Sequence, residues 1–432
     1  MSVTETPSRD FTCALPTEIL LKVVSHLDRR SLLCVGASSH RLRCVVSEHE
    51  DYYFVCRLLG PVNNASLFWN RNASFKSRWS DLGDQPRLLR LHFYANLGTA
   101  AGDTVDLSST FEDICTGLST GLVTHMEVKI DVGSMPLREL HRLFMTAAPG
   151  LRTLRLTAPH RGCQLSRFTF ANSAPLLHRV MVVGGGHFAP RPQSADSQGP
   201  NVTIAGVRFV DLQLFNISEL HMLGYRFNGA EHMVVKIAEL MGPWSPGREV
   251  WPLSPTLRTL KIDLTDPWCE ANCGISGDAD MNGKIRDALT HVIAHWQLRA
   301  STQITLTGFD DYIPLGATHR AIEILEACSV SPIFSVKIYL PDSIMGTLRI
   351  RSYTRSGCEL CADLRIAVRA TEKRWSHIMS ALGALGTRIC RLDAPPEFFD
   401  YLRVHQRDCT QIIMAVPVLE SHLIVGQSSH ES

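Results

Sequence analysis

The chain has 432 residues, of which 45% are hydrophobic and 20% are charged, and its 43 Lys and Arg side chains nearly balance its 42 Asp and Glu. This length is enough for two or three domains with a sizeable buried core, which excludes a short peptide scaffold. A formal net charge of +1 creates no overall field that would attract nucleic acid or an anionic membrane, so neither is predicted as a partner.

The amino-terminal residues carry no sign of export. Residues 1–12 are predicted to be a disordered tail, and their first ten are polar where a signal peptide would be basic and then apolar. No apolar run in the chain reaches the roughly 18 residues of a membrane-spanning helix. The 13 cysteines are scattered from Cys13 to Cys409, which favours free thiols over a disulfide framework. We therefore expect a cytoplasmic or nuclear protein.

The first predicted element is a helix in residues 15–27, LPTEILLKVVSHL, with Pro16 suited to a first helical position. On a helical wheel, five side chains cover one apolar arc of about 140°: Ile19, Val23, Leu27, Leu20 and Val24. Ser31 can cap a second short helix, and a third is predicted from His40 toward Leu59. Three short helices are near the lower size limit for independent folding, so we expect something else to cover their apolar face.

This segment resembles the F-box, the module that ties substrate receptors to a Skp-type adaptor. The matching residues are Leu15, Pro16, Glu18, Ile19, Leu20, Leu27, Leu32 and Val35. The sequence differs at Ser31, Ser38 and Leu42, where Asp, Val and Trp are common in that family. The resemblance implies an F-box over residues 13–59 with these adaptor-facing residues: Leu15, Pro16, Ile19, Leu20, Val24 and Leu27. An ordinary amphipathic helix packed on the core of its own chain is the alternative interpretation.

After a predicted linker at 60–84, short aliphatic runs alternate with helical patterns, which indicates βα units. Frames of the form apolar-x-x-apolar-x-apolar begin at Leu88, Val123, Leu151, Leu177, Val207, Leu257 and Ile333, and with Ser or Cys first at Ser301 and Cys361. Residues 148–156 and 254–262 share five identities in nine positions. A proline lies two residues before four of the frames: Pro86, Pro149, Pro175 and Pro255. These near-copies suggest an internal repeat.

The frames resemble a degenerate leucine-rich-repeat array over residues 85–420, followed by a tail at 421–432. The predicted fold class is thus α/β: a small all-α F-box of three helices, then an irregular leucine-rich-repeat-like α/β solenoid. The average frame spacing of about 34 residues exceeds the usual 20 to 29, so a non-repeating α/β domain is the alternative. In an array, the strands form an extended face that suits a protein target.

Two insertions interrupt the predicted array, at 189–201 and 242–256. The second insertion carries Trp244 and Trp251 among four prolines. A stiff loop that presents aromatic side chains is a candidate contact for the target, and a loop folded over the core with both rings buried is equally consistent. The remaining target-binding residues are unknown at this point.

Two motifs in the chain match patterns of enzymes. Residues 117–121 satisfy G-x-S-x-G, but a helical pattern precedes Ser119 and a strand pattern follows it, the reverse of a nucleophile elbow. Three glycines at 184–186 lack the following helix whose amides would bind phosphate. We interpret both as glycine turns and predict no catalytic residue.

Residues 269–295 contain two incomplete metal motifs. Residues 278–285 copy the start of an EF-hand loop, but the twelfth position is Leu289 instead of a bidentate Glu. Four side chains have the types that bind zinc: Cys269, Cys273, His291 and His295. Seventeen residues separate the two pairs where about 12 are usual. Cys358 and Cys361 form a further C-x-x-C pair without nearby partners. We predict no metal and no other cofactor.

The leading hypothesis is a non-catalytic substrate receptor of a cullin-type ubiquitin ligase, which binds a Skp-type adaptor through the F-box and an unknown protein target through the repeats. Ubiquitin transfer would then depend on proximity, since the receptor raises the local concentration of the target at an enzyme bound elsewhere. A repeat-type interaction scaffold unconnected to ubiquitin is the second hypothesis, and a metalloprotein built on residues 269–295 is the third.

Overall fold

A computed structural model provides the structure of the chain. It describes residues 15–24, 26–27, 29–38, 40–47, 54–61, 68–69, 87–96, 108–130, 142–157, 170, 173–183, 206–217, 220–221, 223, 227, 229–239, 250, 252–264, 281–310, 317–330, 334–339, 345–367 and 371–405. The fold is mixed α/β and has two compact units. Unit 1 comprises Met1–Pro159 with Phe168–Leu177, and unit 2 comprises His160–Arg167 with His178–Ser432. In these ranges, no helix is both long enough and apolar enough to span a bilayer.

Unit 1 begins with three short helices: α1 (Thr17–Val24), α2 (Arg29–Ser38) and α3 (His40–Ser47). Six buried side chains form their common core: Leu20, Val24, Leu32, Val45, Val46 and Leu88. The first five come from the helices, and Leu88 belongs to a strand that follows later in the chain. This strand supplies part of the cover that such a small helical bundle needs.

The third helix is shorter than the sequence predicts. It ends at Ser47, and the residues from Phe54 onward form strand β1 (Phe54–Pro61) instead of continuing toward Leu59. All eight residues of β1 pair in parallel with β3 (Arg87–Asn96), a non-local ladder that the local helical pattern cannot reveal. Within the predicted linker at 60–84, Phe68–Trp69 forms the short strand β2, antiparallel to β1.

The sheet of unit 1 continues from β3 to β4 (Val123–Ile130) and β5 (Thr153–Thr157), both parallel to it. Helix α4 (Ser108–Ser119) connects β3 to β4, as a parallel crossover requires. One face of these strands is apolar and buried, through Leu89, Leu91, Met126, Val128, Leu154 and Leu156. On the other face, Leu88 enters the core of the three helices, and Arg90 and Glu127 form an ion pair of 3.0 Å.

Unit 2 contains nine described strands. They are β6 (Arg179–Val183), β7 (Phe209–Asn216), β8 (His232–Glu239), β9 (Thr259–Asp263), β10 (Gln303–Asp310), β11 (Phe334–Tyr339), β12 (Met345–Tyr353), β13 (Glu359–Ala367) and β14 (Ile389–Asp393). Strands β6 to β10 are parallel and lie side by side in chain order. Sequential neighbours joined in parallel are what βα units produce.

Four described helices belong to unit 2: α5 (Met281–His295), α6 (Ala317–Cys328), α7 (Thr371–Leu385) and α8 (Pro396–Val404). Helix α5 precedes β10, and its predicted apolar face is buried through Ile285, Leu289, Val292 and Trp296. In α8, Phe398 packs 5.4 Å from the ring of Trp375 in α7. Each helix therefore buries one side against the core, as its 3.6-residue pattern predicts.

A tight turn before many of the strands explains the recurring prolines. In the segments 148–151, 174–177 and 254–257, the N–H of the fourth residue donates to the carbonyl of the first, each at 3.1 Å. Proline occupies the second position of all three, where its fixed φ suits a β-turn. Segments 227–230 and 299–302 close the same hydrogen bond without proline, at 3.2 and 2.9 Å. The repeated feature is therefore the turn, and proline is one way to form it.

The apolar frames read from the sequence do not include strand β8, because the first apolar position of its frame is alanine. Ala230, Met233 and Val235 are buried at 0%, 1% and 0% exposure, and they occupy the same places around β8 as the leucines of the other frames. With this frame included, the second apolar residue of each frame lies at position 126, 154, 180, 210, 233 or 260. The distances between successive frames are then 28, 26, 30, 23 and 27 residues. The predicted average of about 34 is too long for this region, where the spacing is close to that of regular leucine-rich repeats.

Beyond β10 the strands no longer follow chain order. Strands β11, β12 and β13 pair in antiparallel fashion, while β14 is parallel to β11. The turn from β12 to β13 closes through Gly357, whose φ of +81° favours glycine, and its N–H donates to the carbonyl of Thr354 at 2.9 Å. The frame predicted at Cys361 lies in β13, which is parallel to β10. The frame predicted at Ile333 leads into β11, which the antiparallel strand β12 separates from β13. Both frames therefore belong to a mixed sheet that does not continue the chain order of β6 to β10.

Candidate functional site

The start of α1 is held in place by two sets of hydrogen bonds. The carbonyl of Pro16 accepts from the N–H groups of Ile19 and Leu20, each at 3.2 Å, so Pro16 directly precedes the first helical turn. The guanidinium of Arg41 in α3 donates to the carbonyl of Leu15. The first amides of a helix have no partner within the helix, and here the Pro16 carbonyl accepts from two N–H groups of the first turn. The bond from Arg41 ties the residues that precede α1 to α3.

The apolar arc of α1 is divided between the core and the surface. Leu20 and Val24 are 4% and 1% exposed, and Leu27 packs half-buried against the same core. The side chains of Leu15, Ile19 and Val23 point outward with 44%, 48% and 53% of their surface exposed. We call these three residues the outer stripe. Pro16 is also exposed.

This division changes the set of residues available to a partner. Leu20 and Val24 were predicted to face an adaptor, but their side chains contact the helical core and are covered by it, so in this structure they stabilise the bundle. Val23 was not in the predicted set although it is the most exposed of the five wheel residues. The wheel contains the signal: Ile19 and Val23 lie within about 40° of each other, whereas Leu20 and Val24 lie at about 100° and 140°.

Two of the departures from the F-box pattern have a structural role in the bundle. Leu42, where Trp is common, is half-buried and packs against the core of the three helices. The hydroxyl of Ser38 donates to the carbonyl of Val35 at 2.7 Å, at the last residue of α2. An aliphatic side chain thus fills the site of the usual aromatic one, and the serine satisfies a carbonyl that the helix end leaves open.

The second candidate surface is the outward face of the strands in unit 2, which is rich in ion pairs. Arg349 of β12 binds Asp363 of β13 through two hydrogen bonds of 2.6 and 2.7 Å. These bonds raise the pKa of the Arg349 guanidinium above its ordinary value, which outweighs the opposing effect of burial. Lys337 of β11 pairs with Asp393 of β14 at 3.0 Å. Cross-strand pairs of this kind fix the side chains of the face.

Three described cysteines of this unit, Cys328, Cys358 and Cys361, are buried. Burial, followed by the nearby Glu359 carboxylate, raises the pKa of the Cys361 thiol to about 12. Burial likewise raises the pKa of Cys328 to about 11. The Sγ of Cys358 donates to the carbonyl of Arg299 at 2.9 Å. Since the thiolate is the nucleophile and the metal ligand, the raised pKa values hold Cys361 and Cys328 in the unreactive thiol form.

The other predicted motifs are placed as follows. Ser119 is the last residue of α4, and its hydroxyl donates to the carbonyl of Thr116 at 2.9 Å. A helix therefore precedes the G-x-S-x-G motif and strand β4 follows it, as the sequence predicts. The imidazole Nδ1 of His295 lies 2.7 Å from the carbonyl of His291. Among the residues that the structure describes, no group of three or more His, Cys, Asp or Glu side chains could hold a metal ion. Several predicted positions lie outside those residues: Trp244, Trp251, Cys269, Cys273, Asp278, Asp280, the glycines at 184–186, and the tails at 1–12 and 421–432.

The three-helix module of unit 1 presents an apolar outer stripe, and exposed apolar surface of this kind is typical of protein interaction sites. A family model described as F-box-like matches residues 12–57, which include α1, α2 and α3. The match supports an F-box protein, and F-box domains generally bind Skp-type adaptors. No curated protein matches the chain.

Proposed function

We propose that the chain is the target-recognition subunit of a cullin-type ubiquitin ligase. The F-box-like module binds a Skp-type adaptor, and the strand-rich units, which form a leucine-rich-repeat-like solenoid, bind the protein to be ubiquitinated. No side chain of the chain reacts, because the subunit acts by holding the target near a ubiquitin-carrying enzyme. If the chain were instead a repeat-type interaction scaffold unconnected to ubiquitin, it would not bind the adaptor.

The observation that carries the proposal is the exposure of the outer stripe. Leu15, Ile19 and Val23 each leave about half of their surface in water, while Leu20 and Val24 of the same helix are buried in the core. Covering the exposed half of three such side chains is worth about 1 kcal/mol each, or about 3 kcal/mol in total. That free energy corresponds to an affinity change on the order of 100-fold, enough to decide whether a complex survives purification.

The solenoid part of the proposal rests on three features of the strands. From β6 to β10 the parallel strands are neighbours in chain order, the tight turn recurs before them, and the frame spacing from 126 to 260 is close to that of regular repeats. In such an array each unit packs only on its neighbours, so the strands present one continuous surface to a partner.

Co-purification of the full chain with a Skp-type adaptor tests the proposal. Ile19→Asp/Val23→Asp places two charges on the outer stripe without touching the core, and we expect it to abolish recovery of the adaptor. Val330→Asp/Val404→Asp is the matched control, since these aliphatic residues of unit 2 are 67% and 79% exposed. The control is expected to retain the adaptor.

Substitutions at the buried positions do not give a clean test. A charge at Leu20 or Val24 would disrupt the helical core, so lost recovery would report unfolding as readily as a lost contact. The thermal unfolding midpoint of each variant must therefore stay within about 2 °C of the wild type, corresponding to less than about 1 kcal/mol. Recovery of the adaptor by Ile19→Asp/Val23→Asp at the wild-type level would refute the docking surface.

A further inference from the structure

The amino-terminal ends of the strands in unit 2 carry a row of exposed arginines. Arg208 directly precedes β7 and Arg258 directly precedes β9, and their side chains are 66% and 71% exposed. Arg299 and Arg355, in the turns before β10 and β13, are exposed as well. We call these four residues the arginine rim.

The backbone sets the spacing of the rim. The N–H of Glu231 donates to the carbonyl of Arg208 at 2.9 Å, and the N–H of Arg258 donates to the carbonyl of Glu231 at 2.7 Å. Arg208 and Arg258 are therefore two strands apart, which is about 10 Å at the usual strand separation. The Glu231 carboxylate lies between them, 3.5 Å from Arg208 and 3.8 Å from Arg258. One carboxylate between two guanidinium groups leaves a net positive charge.

The rim continues across the next two turns. The hydroxyl of Thr302 donates to the carbonyl of Leu257 at 2.9 Å, which sets the turn of Arg299 beside Arg258. The bond from Cys358 Sγ to the carbonyl of Arg299 sets the turn of Arg355 beside Arg299 in the same way. Within the described residues, no carboxylate pairs with the guanidinium of Arg299 or Arg355.

An exposed apolar patch adjoins the rim. Phe209 is 45% exposed although one ring face stacks on His232, with centroids 5.0 Å apart and planes inclined by 14°. The Nδ1 atom of His232 lies 2.9 Å from the hydroxyl of Thr259, so the imidazole is held under the phenyl ring. Val234, 37% exposed, follows two residues later in β8. Aromatic and arginine side chains together are the composition of interface hot spots.

We propose that the arginine rim and the patch of Phe209 and Val234 bind an acidic segment of a target protein. Two carboxylates of the segment pair with Arg208 and Arg258, and an apolar side chain between them covers Phe209. In the polyproline II conformation a segment advances about 3.1 Å per residue and every third side chain points to the same side, so carboxylates three residues apart span the roughly 10 Å between the arginines. This inference rests on the proposed function, because it names the class of target that the strand surface takes.

The carboxylates of the site favour a peptide over a nucleic acid. Glu231 interrupts the rim, and Asp211 pairs across the ladder with Val234, beside the apolar patch. A nucleic acid carries a phosphate at every nucleotide and would meet both carboxylates, whereas a peptide can place its acidic side chains only opposite the arginines. The site therefore matches separated negative charges and not a continuous polyanion.

A bead-displayed library of random 12-residue peptides, screened with the full chain, tests this inference. We expect the enriched peptides to carry two acidic residues three positions apart with an apolar residue between them. Arg208→Glu/Arg258→Glu should weaken their binding at least tenfold. Arg391→Glu/Arg403→Glu, the charge-matched control on exposed arginines elsewhere in unit 2, should leave binding within twofold. Phe209→Ala should weaken binding about fivefold or more, and Tyr353→Ala, at another exposed aromatic, should not.

Three results would overturn the inference: no enriched peptide, enriched peptides without paired acidic residues, or equal binding by the wild type and Arg208→Glu/Arg258→Glu. A single-stranded RNA 12-mer serves as a further probe, and tighter binding of it than of the enriched peptides would also refute the acidic segment. Adaptor recovery is measured on the same variants. We expect Arg208→Glu/Arg258→Glu to retain the adaptor, so failure of the rim is separated from failure of the ligase proposal.

Discussion

Replacing Gly150 with alanine should destabilise unit 1 strongly, because two turns approach each other there through their backbones. A Cβ atom on Gly150 would lie 1.9 Å from the carbonyl oxygen of Gly121, whereas ordinary contacts begin at about 3.4 Å. The turns would have to separate by roughly 1.5 Å. Hydrogen bonds on both sides of Gly150 resist this movement, from Ala148 N–H to the Ser173 carbonyl at 2.8 Å and from Arg152 N–H to the Thr124 carbonyl at 2.7 Å.

The expected cost is about 3 kcal/mol or more, at the upper end of what overpacking causes. For a unit of this size, that loss lowers the unfolding midpoint by about 6 to 12 °C. Differential scanning calorimetry of the full chain, compared with circular dichroism, measures the shift and separates the transitions of the two units.

Gly229→Ala is the matched control. Gly229 occupies the third position of the turn at 227–230, as Gly150 does in the turn at 148–151, but a Cβ there would lie 3.6 Å from its nearest neighbour, the Val207 carbonyl oxygen. We expect Gly229→Ala to change stability by less than about 1 kcal/mol, with a gain possible because alanine restricts the unfolded chain. Equal losses in both variants, or a loss below about 0.5 kcal/mol for Gly150→Ala, would refute the steric argument.

Two further predictions concern the strand face of unit 2. In a double-mutant cycle with Arg349→Ala and Asp363→Ala, denaturant unfolding should give a coupling energy of about 1 to 2 kcal/mol, because the pair is bidentate and largely shielded from water; a value near zero would contradict this. Cys361 should be alkylated by iodoacetamide at pH 8 far more slowly than exposed Cys34, as followed by mass spectrometry, and comparable rates would count against the buried thiol. Since burial raises its folded pKa, the stability contributed by the neutral Cys361 thiol is present below pH 9 and is lost as the pH rises toward about 12.

The elements that the sequence predicts best are those whose signal is local. Helix α1 follows from five apolar positions at helical spacing. The recurring prolines were predicted only as the sign of a repeat, and the structure places three of them in tight turns. Strand β1 was missed because its pairing with β3 joins residues more than 30 positions apart, which no local pattern encodes. The frame at Ala230 was missed because alanine is a weak hydrophobic signal, although the turn before β8 buries it completely.

The candidate adaptor surface was predicted as one apolar face of α1, and the structure divides that face into a buried half and an exposed half. A continuous apolar arc identifies the residues that avoid water, yet it does not say which half packs inward, since that depends on where α3 and Leu88 lie. The arginine rim had no such signal, because Arg208, Glu231 and Arg258 are 23 and 27 residues apart in the sequence. They become neighbours only through the backbone ladder between consecutive strands.

The outer stripe and the buried half of α1 therefore contribute to different free energies. Leu20 and Val24 lose their contact with water when the chain folds, so they contribute to the free energy of unfolding. Ile19 and Val23 stay about half exposed in the folded chain, so folding gains less from them, and the remaining apolar surface is available for association. A purely structural helix would have no reason to keep three large aliphatic side chains in water along one line. If replacing Ile19 and Val23 with serine left the unfolding free energy nearly unchanged while adaptor binding was lost, the two contributions would be separated experimentally.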